Sequence, residues 1–149
     1  MNNDISIKRK LSAIVVTDII EFTSLSGKDE VYSIEILNKQ RTIITPLVSK
    51  YNGKLQKEIG DGLLFTFDTV TDAIRFSINF QNSAKDIDDL NLRIGIHEGE
   101  INFTNNDIIG DDVNITYRIE SLSPQGGIAI SGKVQQNISS LAEFETEYI

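Results

Sequence analysis

KLQKEIGDGLLFTF, from Lys54 to Phe67, has the form of a β-hairpin. Two runs with strand character flank Gly60-Asp61-Gly62, and Gly-Asp-Gly is ordinary turn chemistry. The same stretch sets Lys57, Glu58 and Asp61 beside residues that must enter a core. A polar turn residue would explain Asp61 on its own. The segments on either side decide whether it does more.

Upstream, Ser12–Thr17 (SAIVVT) is continuously apolar and rich in β-branched residues, as a central strand buried on both faces would be. It ends in Asp18. Glu30 to about Tyr51 predicts a long helix, with Val31, Ile34, Leu37, Ile44, Val48 and Tyr51 at helical spacing. Pro46 is expected to kink or divide it, and Asn52-Gly53 to stop it. Downstream, Thr69–Ala84 reads as a helix with Val70, Ala73, Ile74, Ser77 and Ile78 inward and Thr69 or Thr71 as its cap. Leu90–Phe103 alternates as a strand, with a bulge expected near Gly99. Asp112–Leu122 is a third helix, Gly127–Ser131 a strand and Gly132–Ile138 a short helix. The order β-α-β-β-α-β predicts an α/β (α+β) fold with a ferredoxin-like, split βαβ core. Its sheet is mostly antiparallel, with helices packed on one face. Residues 1–10 read as a polar lead-in and 11–149 as one domain.

The 149 residues are 40% hydrophobic and carry a net charge of −8, which suits a folded soluble domain and argues against nucleic acid as a partner. A small anionic ligand held by local donors or bridging metal ions remains compatible with that charge. No cysteine is present, so disulfides and thiolate metal sites are excluded and a reducing, cytoplasmic setting is expected. The apolar run AIVV is too short for a leader or a span, so no membrane contact is expected from the domain itself, whatever anchors a longer parent protein.

Asp18 closes the first strand and Asp61 sits in the hairpin turn, so both reach the same edge of the sheet. Two carboxylates converging there repel unless a cation lies between them. Oxygen-only ligation suits Mg²⁺ or Mn²⁺ completed by waters and phosphate oxygens, the apparatus of phosphoryl and nucleotidyl transfer. Asn114 and Arg118 stand four apart and share a helical face. Arginine is a planar donor fork for phosphoryl oxygens, and asparagine can orient a ribose or a water. Singly, each has a plainer reading: a turn or cap for either aspartate, a wet surface for the helical pair.

Together these residues resemble the class III nucleotide cyclases, the adenylate and guanylate cyclase catalytic domains, from about Lys10 to Ile138. VTDIIEFTSLS is similar to the opening F-T-D-I-x-G-F-T, and KEIGDGLLFTF to the hairpin K-x-x-G-D-x-x-x-x-x-F. LRIGIHEGEI resembles R-x-G-I-H-x-G, and NDIIGDDVNITYRIESLSPQGGIAIS the long segment D-x-x-G-x-x-V-N-x-A-x-R with its glycine-rich turn and strand. The resemblance implies that Asp18, the backbone carbonyl of Ile19 and Asp61 bind two Mg²⁺ or Mn²⁺ ions per site. It implies that Lys57 and Asp107 read adenine, whose N1 accepts and whose exocyclic amine donates. Asn114 would orient the ribose and Arg118 stabilise the transition state.

The implied reaction converts ATP to cyclic AMP and pyrophosphate by attack of the ribose 3′-hydroxyl on the α-phosphate. The implied assembly is a head-to-tail homodimer in which one subunit supplies the metals and the other the Lys, Asp, Asn and Arg. Guanylate cyclase, an inactive nucleotide-binding module and a purely structural dimerisation domain are the alternatives. His97 reads as a structural strand residue, and Asp111 and Asp112 as helix-capping charges.

Three departures stand out. Glu21 occupies the usual glycine of D-I-x-G-F-T, adding bulk and negative charge where an anion is expected. Tyr117 replaces a small residue beside the arginine. The chain ends at EFETEYI, where the family continues into a further strand, so an open sheet edge is expected.

Overall fold

A computed structural model describes residues 8–105 and 107–149. In chain order the elements are β1 (Lys8–Ile19), α1 (Phe22–Lys28), α2 (Glu30–Lys50), β2 (Lys54–Ile59), β3 (Gly62–Phe67), α3 (Val70–Ala84) and β4 (Leu92–Phe103). β5 (Ile108–Ile109), α4 (Asp111–Ser121), β6 (Ile128–Ile130) and α5 (Gly132–Ile138) complete it. One mixed sheet runs β2-β3-β1-β4-β5, with β6 joined to β4 in parallel and the other pairings antiparallel. This is the split βαβ arrangement expected. Residues 1–7 of the expected lead-in lie outside the described residues, and Lys8, Arg9 and Lys10 pair with β4 as the start of β1.

The apolar run of β1 is buried on both faces because both faces are covered. Ala13, Val15 and Ile19 join Leu63, Phe65 and Phe67 of β3 and Leu92, Ile94 and Ile96 of β4 under α2, α3 and α5. This main helical layer packs on one face, as expected. Its centre is aromatic: the Phe76 ring lies 4.7 Å from that of Phe65 and 5.0 Å from that of Phe67. Ile14, Val16, Leu64 and Ile101 point the other way and pack with Val113 of α4, which lies alone across the opposite face. The α3 cap is Thr69, whose hydroxyl accepts from the Asp72 N–H.

Three local expectations change. Pro46 does not divide α2, which runs 21 residues as one element; one absent N–H removes a single rung, and core packing retains the rest. The inward strip of α2 is Ser33, Ile36, Gln40 and Ile44, whereas Val31 and Ile34 are 70% and 50% exposed. Ser33 is tolerated inside because its hydroxyl donates to the Glu30 carbonyl, which frees the apolar periodicity from marking the buried side. The bulge is not at Gly99, where the β1–β4 register is unbroken; it falls in β2 between Leu55 and Lys57.

Gly99 has another reason to be glycine. A Cβ there would overlap the Asp112 side chain, and one at Gly95 would overlap the backbone of Glu120. These two glycines, on one face of β4, let α4 settle directly on the strand. Gly95→Ala should therefore cost about 2–3 kcal/mol, because backbone must move. Gly99→Ala should cost a similar amount, because the Asp112 Cβ, 2.5 Å from the added carbon, moves only with the backbone of α4, and the Asp112 carboxylate is held by His97. Urea denaturation of the two variants checks both losses.

Candidate active site

Asp18 lies at the end of β1 directly opposite Arg93 on β4. The guanidinium forks onto the carboxylate, Nε to Oδ1 at 3.2 Å and Nη2 to Oδ2 at 3.0 Å. Asp61, in the β2–β3 turn, accepts the Ile19 backbone N–H at 2.8 Å, which ties the hairpin to the end of β1. Asp18, Ile19 and Asp61 line one open pocket of about 530 Å³ together with Arg93, Tyr117 and Glu120. Three of the expected site residues are thus brought together.

The donor chemistry of this pocket fits a hard divalent cation. It offers the carboxyl groups of Asp18, Glu21, Asp61 and Glu120 and backbone carbonyls, with no imidazole or thiolate among its lining residues. No group of three or more metal-ligating side chains converges among the described residues, so an ion here would need waters or substrate oxygens to complete its shell.

Glu120 reaches the pocket from α4 and is 6% exposed. Burial, a hydrogen bond with Asp18 and the negative charge of Asp18 push its carboxyl up to about 8, against the pull of Arg93. Its Oε2 lies 3.8 Å from the Arg93 Nε. Neither Arg93 nor Glu120 was singled out by sequence reasoning. The available signal was the antiparallel pairing of the two strand ends, which places an arginine across from Asp18.

Lys57 and Asp107 also meet, Nζ to Oδ1 at 2.5 Å. Lys57 follows the β2 bulge, and Asp107 precedes β5, where the Ile108 N–H donates to Asp107 Oδ1 at 2.8 Å. The Lys57 ammonium and then this N–H hold the Asp107 carboxyl below its usual range. Asn114 and Arg118 stand exposed on α4, one turn apart, with no side-chain hydrogen bond or ion pair to the other described residues. None of these four residues lines the pocket that holds Asp18 and Asp61. Within one chain the expected site is therefore in two parts.

Tyr117 stands between them. It is 43% exposed and lines the pocket, and its hydroxyl, raised mainly by burial, feels both Lys57 and Asp107. His97 is 8% exposed, with Nδ1 2.9 Å from Ser131 Oγ and Nε2 2.9 Å from Asp112 Oδ1. It joins β4 to α4 and to the N-cap of α5, a structural role. Asp112 is thereby committed to His97; Asp111 and Asp112 lie in the first turn of α4, where the helix dipole favours their charge, but the N-cap is Gly110 and neither makes the side-chain cap expected of them.

Glu21 is the N-cap of α1 and also lines the pocket. Its backbone sits at φ 60°, ψ 23°, in the left-handed region. A glycine there would relieve the clash of Cβ with the following carbonyl.

Residues 8–148 match the family model described as "Adenylate and Guanylate cyclase catalytic domain". A "Putative adenylate cyclase 3" of Rhizobium meliloti (strain 1021) is 29% identical over 148 residues, covering 94% of this chain and 25% of that protein. An "Adenylate cyclase" of Anabaena cylindrica is 30% identical over 162 residues, covering 91% of this chain and 32% of that protein. The chain thus spans about a quarter to a third of the length of these relatives. Among solved structures, an "Adenylate/Guanylate Cyclase/Hydrolase" from Silicibacter pomeroyi superposes with a TM-score of 0.85 at 29% identity, covering 95% of this chain and 88% of that one.

Glu21→Gly should raise stability by about 1 kcal/mol, the ordinary cost of a left-handed non-glycine residue. A melting temperature higher by a few degrees would register it; an unchanged or lower one would mean that the Glu21 side chain makes good the strain.

Proposed function

The chain is a member of the adenylate and guanylate cyclase catalytic domain family, and from that premise we propose that it is an adenylate cyclase working as a head-to-tail homodimer. The observation that carries this reading is the division of the site. The Asp18–Asp61 pocket and the Lys57, Asp107, Asn114 and Arg118 set lie apart in one chain, which is what two half-sites completed by a second copy require.

Asp18, the Ile19 carbonyl and Asp61 of one protomer would hold Mg²⁺ or Mn²⁺. When bound, the ions neutralise the triphosphate and lower the pKa of the ribose 3′-hydroxyl. Lys57 and Asp107, already paired, offer a donor to adenine N1 and an acceptor to its exocyclic amine. Asn114 orients the ribose so that the 3′-oxygen stands in line with the α-phosphorus. Arg118 donates to the phosphoryl oxygens as the new P–O bond forms and the bond to pyrophosphate breaks. The Arg118 guanidinium, on an exposed helix face and without a hydrogen bond or ion pair to the other described residues, is available to such a ligand. Relatives named as adenylate cyclases support ATP over GTP as substrate. A cysteine-free domain of this kind suits the reducing cytoplasm. Among the described residues no helix is long and apolar enough to cross a membrane.

The test is cyclic AMP output from Asp61→Ala, from Arg118→Ala and from their mixture, each confirmed as folded. Each alone should lose on the order of a hundredfold or more, as loss of a transition-state charge contact does. The mixture should regain activity, because a mixed dimer holds one site with both intact halves. No recovery would sink the shared site, and full activity in either single variant would sink its assigned role. Lys57→Glu should shift the ATP-to-GTP preference toward GTP by about tenfold or more, equivalent to one lost base-reading contact. An unchanged ratio would refute base reading by Lys57.

A further inference from the structure

In this structure Asp18 is already occupied. Both of its oxygens accept from Arg93, at 3.2 Å and 3.0 Å, and a cation approaching that carboxylate must displace the guanidinium. The fork is partly withdrawn from water, with the Arg93 and Asp18 side chains 35% and 26% exposed. It also leaves Asp18 neutralised while Asp61, in the same pocket, rests on the Ile19 N–H.

A second seat for the guanidinium lies beside the first. Glu120 Oε2 is 3.8 Å from Arg93 Nε, too far for a hydrogen bond and near enough to be reached by side-chain rotation alone. Glu120 cannot drift from this position, because its backbone rests on Gly95, where even one added methyl would overlap it. Arg93 is fixed at its own base by β4 pairing opposite Asp18.

We propose that Arg93 competes with the divalent cation for Asp18, and that Glu120 is the positioning residue that receives the guanidinium when the cation takes Asp18. The proposal rests on the reading of Asp18 and Asp61 as metal ligands. It makes metal binding an exchange of partners and sets metal affinity below what two carboxylates alone would give.

Titration of the nucleotide-free chain with Mn²⁺, followed by the electron paramagnetic resonance of the free ion, tests this without turnover. Arg93→Gln should tighten Mn²⁺ binding by on the order of tenfold, the scale of a half-buried charge-assisted fork. Arg93→Lys is decisive, since it keeps the charge and loses the fork; it should also tighten binding, by a smaller factor. If the lysine variant binds as the parent does, the effect of Arg93 is only its field, and competition is overturned. Glu120→Leu, which removes the second seat, should weaken binding, and Glu120→Gln, which keeps an acceptor oxygen, should largely restore it. The leucine effect should vanish in an Arg93→Gln background. A loss of equal size there would overturn the positioning role of Glu120. Should Glu120→Leu fail to fold, the Arg93→Lys and Glu120→Gln titrations still decide. Asp61→Ala separates the two layers of the reading. Retained Mn²⁺ binding in that variant overturns the metal assignment and the exchange with it. Lost binding alongside an inert Arg93→Lys overturns the exchange alone.

Discussion

Two absent side chains govern the far face of the sheet. Because Gly95 and Gly99 carry no Cβ, the backbone of α4 at Glu120 and the side chain of Asp112 rest directly on β4. That contact fixes the height and rotation of the helix, and so the direction in which each of its residues points. Val113 and Thr116 turn into the sheet, Glu120 enters the pocket beside Asp18, and Asn114 and Arg118 are left facing outward. His97, buried between Asp112 and Ser131, fastens the start of the same helix. A larger residue at either glycine would lift α4 and disperse the arrangement.

Electrostatics in the pocket is resolved locally rather than by the overall charge of −8. Asp18, Glu21, Asp61 and Glu120 line it with one cation, Arg93. Three of these carboxyls are accommodated differently: Asp18 by an ion pair, Asp61 by a backbone N–H, and Glu120 by a carboxyl that burial and then Asp18 push up to about 8. Lys57 and Asp107 form a self-contained pair elsewhere. Asp18 and Asp107 are thus each neutralised by a cation, Arg93 and Lys57, that a ligand would have to displace.

Much of this was legible from residue pattern. Alternation and β-branching located the strands, and the Gly-Asp-Gly turn placed Asp61 at the end of β1, where it is found. The spacing of Asn114 and Arg118 put both on one exposed face of α4. What pattern could not carry was rotation and depth. Apolar spacing marked Val31 and Ile34 as inward although they are exposed, because a hydroxyl that bonds its own helix can be buried as readily as an aliphatic chain. Gly99 signalled a bulge when its purpose was closeness to Asp112, a contact between residues far apart in a strand and a helix. Arg93 and Glu120 were passed over for the same reason: their significance lies in what stands across from them. The left-handed backbone at Glu21 likewise has no signature in its own residue type, which is an uncommon choice for that conformation.

One helix of 11 residues, about 16 Å long, presents Glu120 toward the pocket of its own chain and Asn114 and Arg118 away from it. In a head-to-tail pair those outward residues belong to the second site. α4 is then a rigid lever shared by both sites, and a tilt that accommodates ligand in one must displace groups in the other. The two sites of such a dimer would not fill independently. Cooperativity between them would follow from how closely a single helix is seated on a single strand.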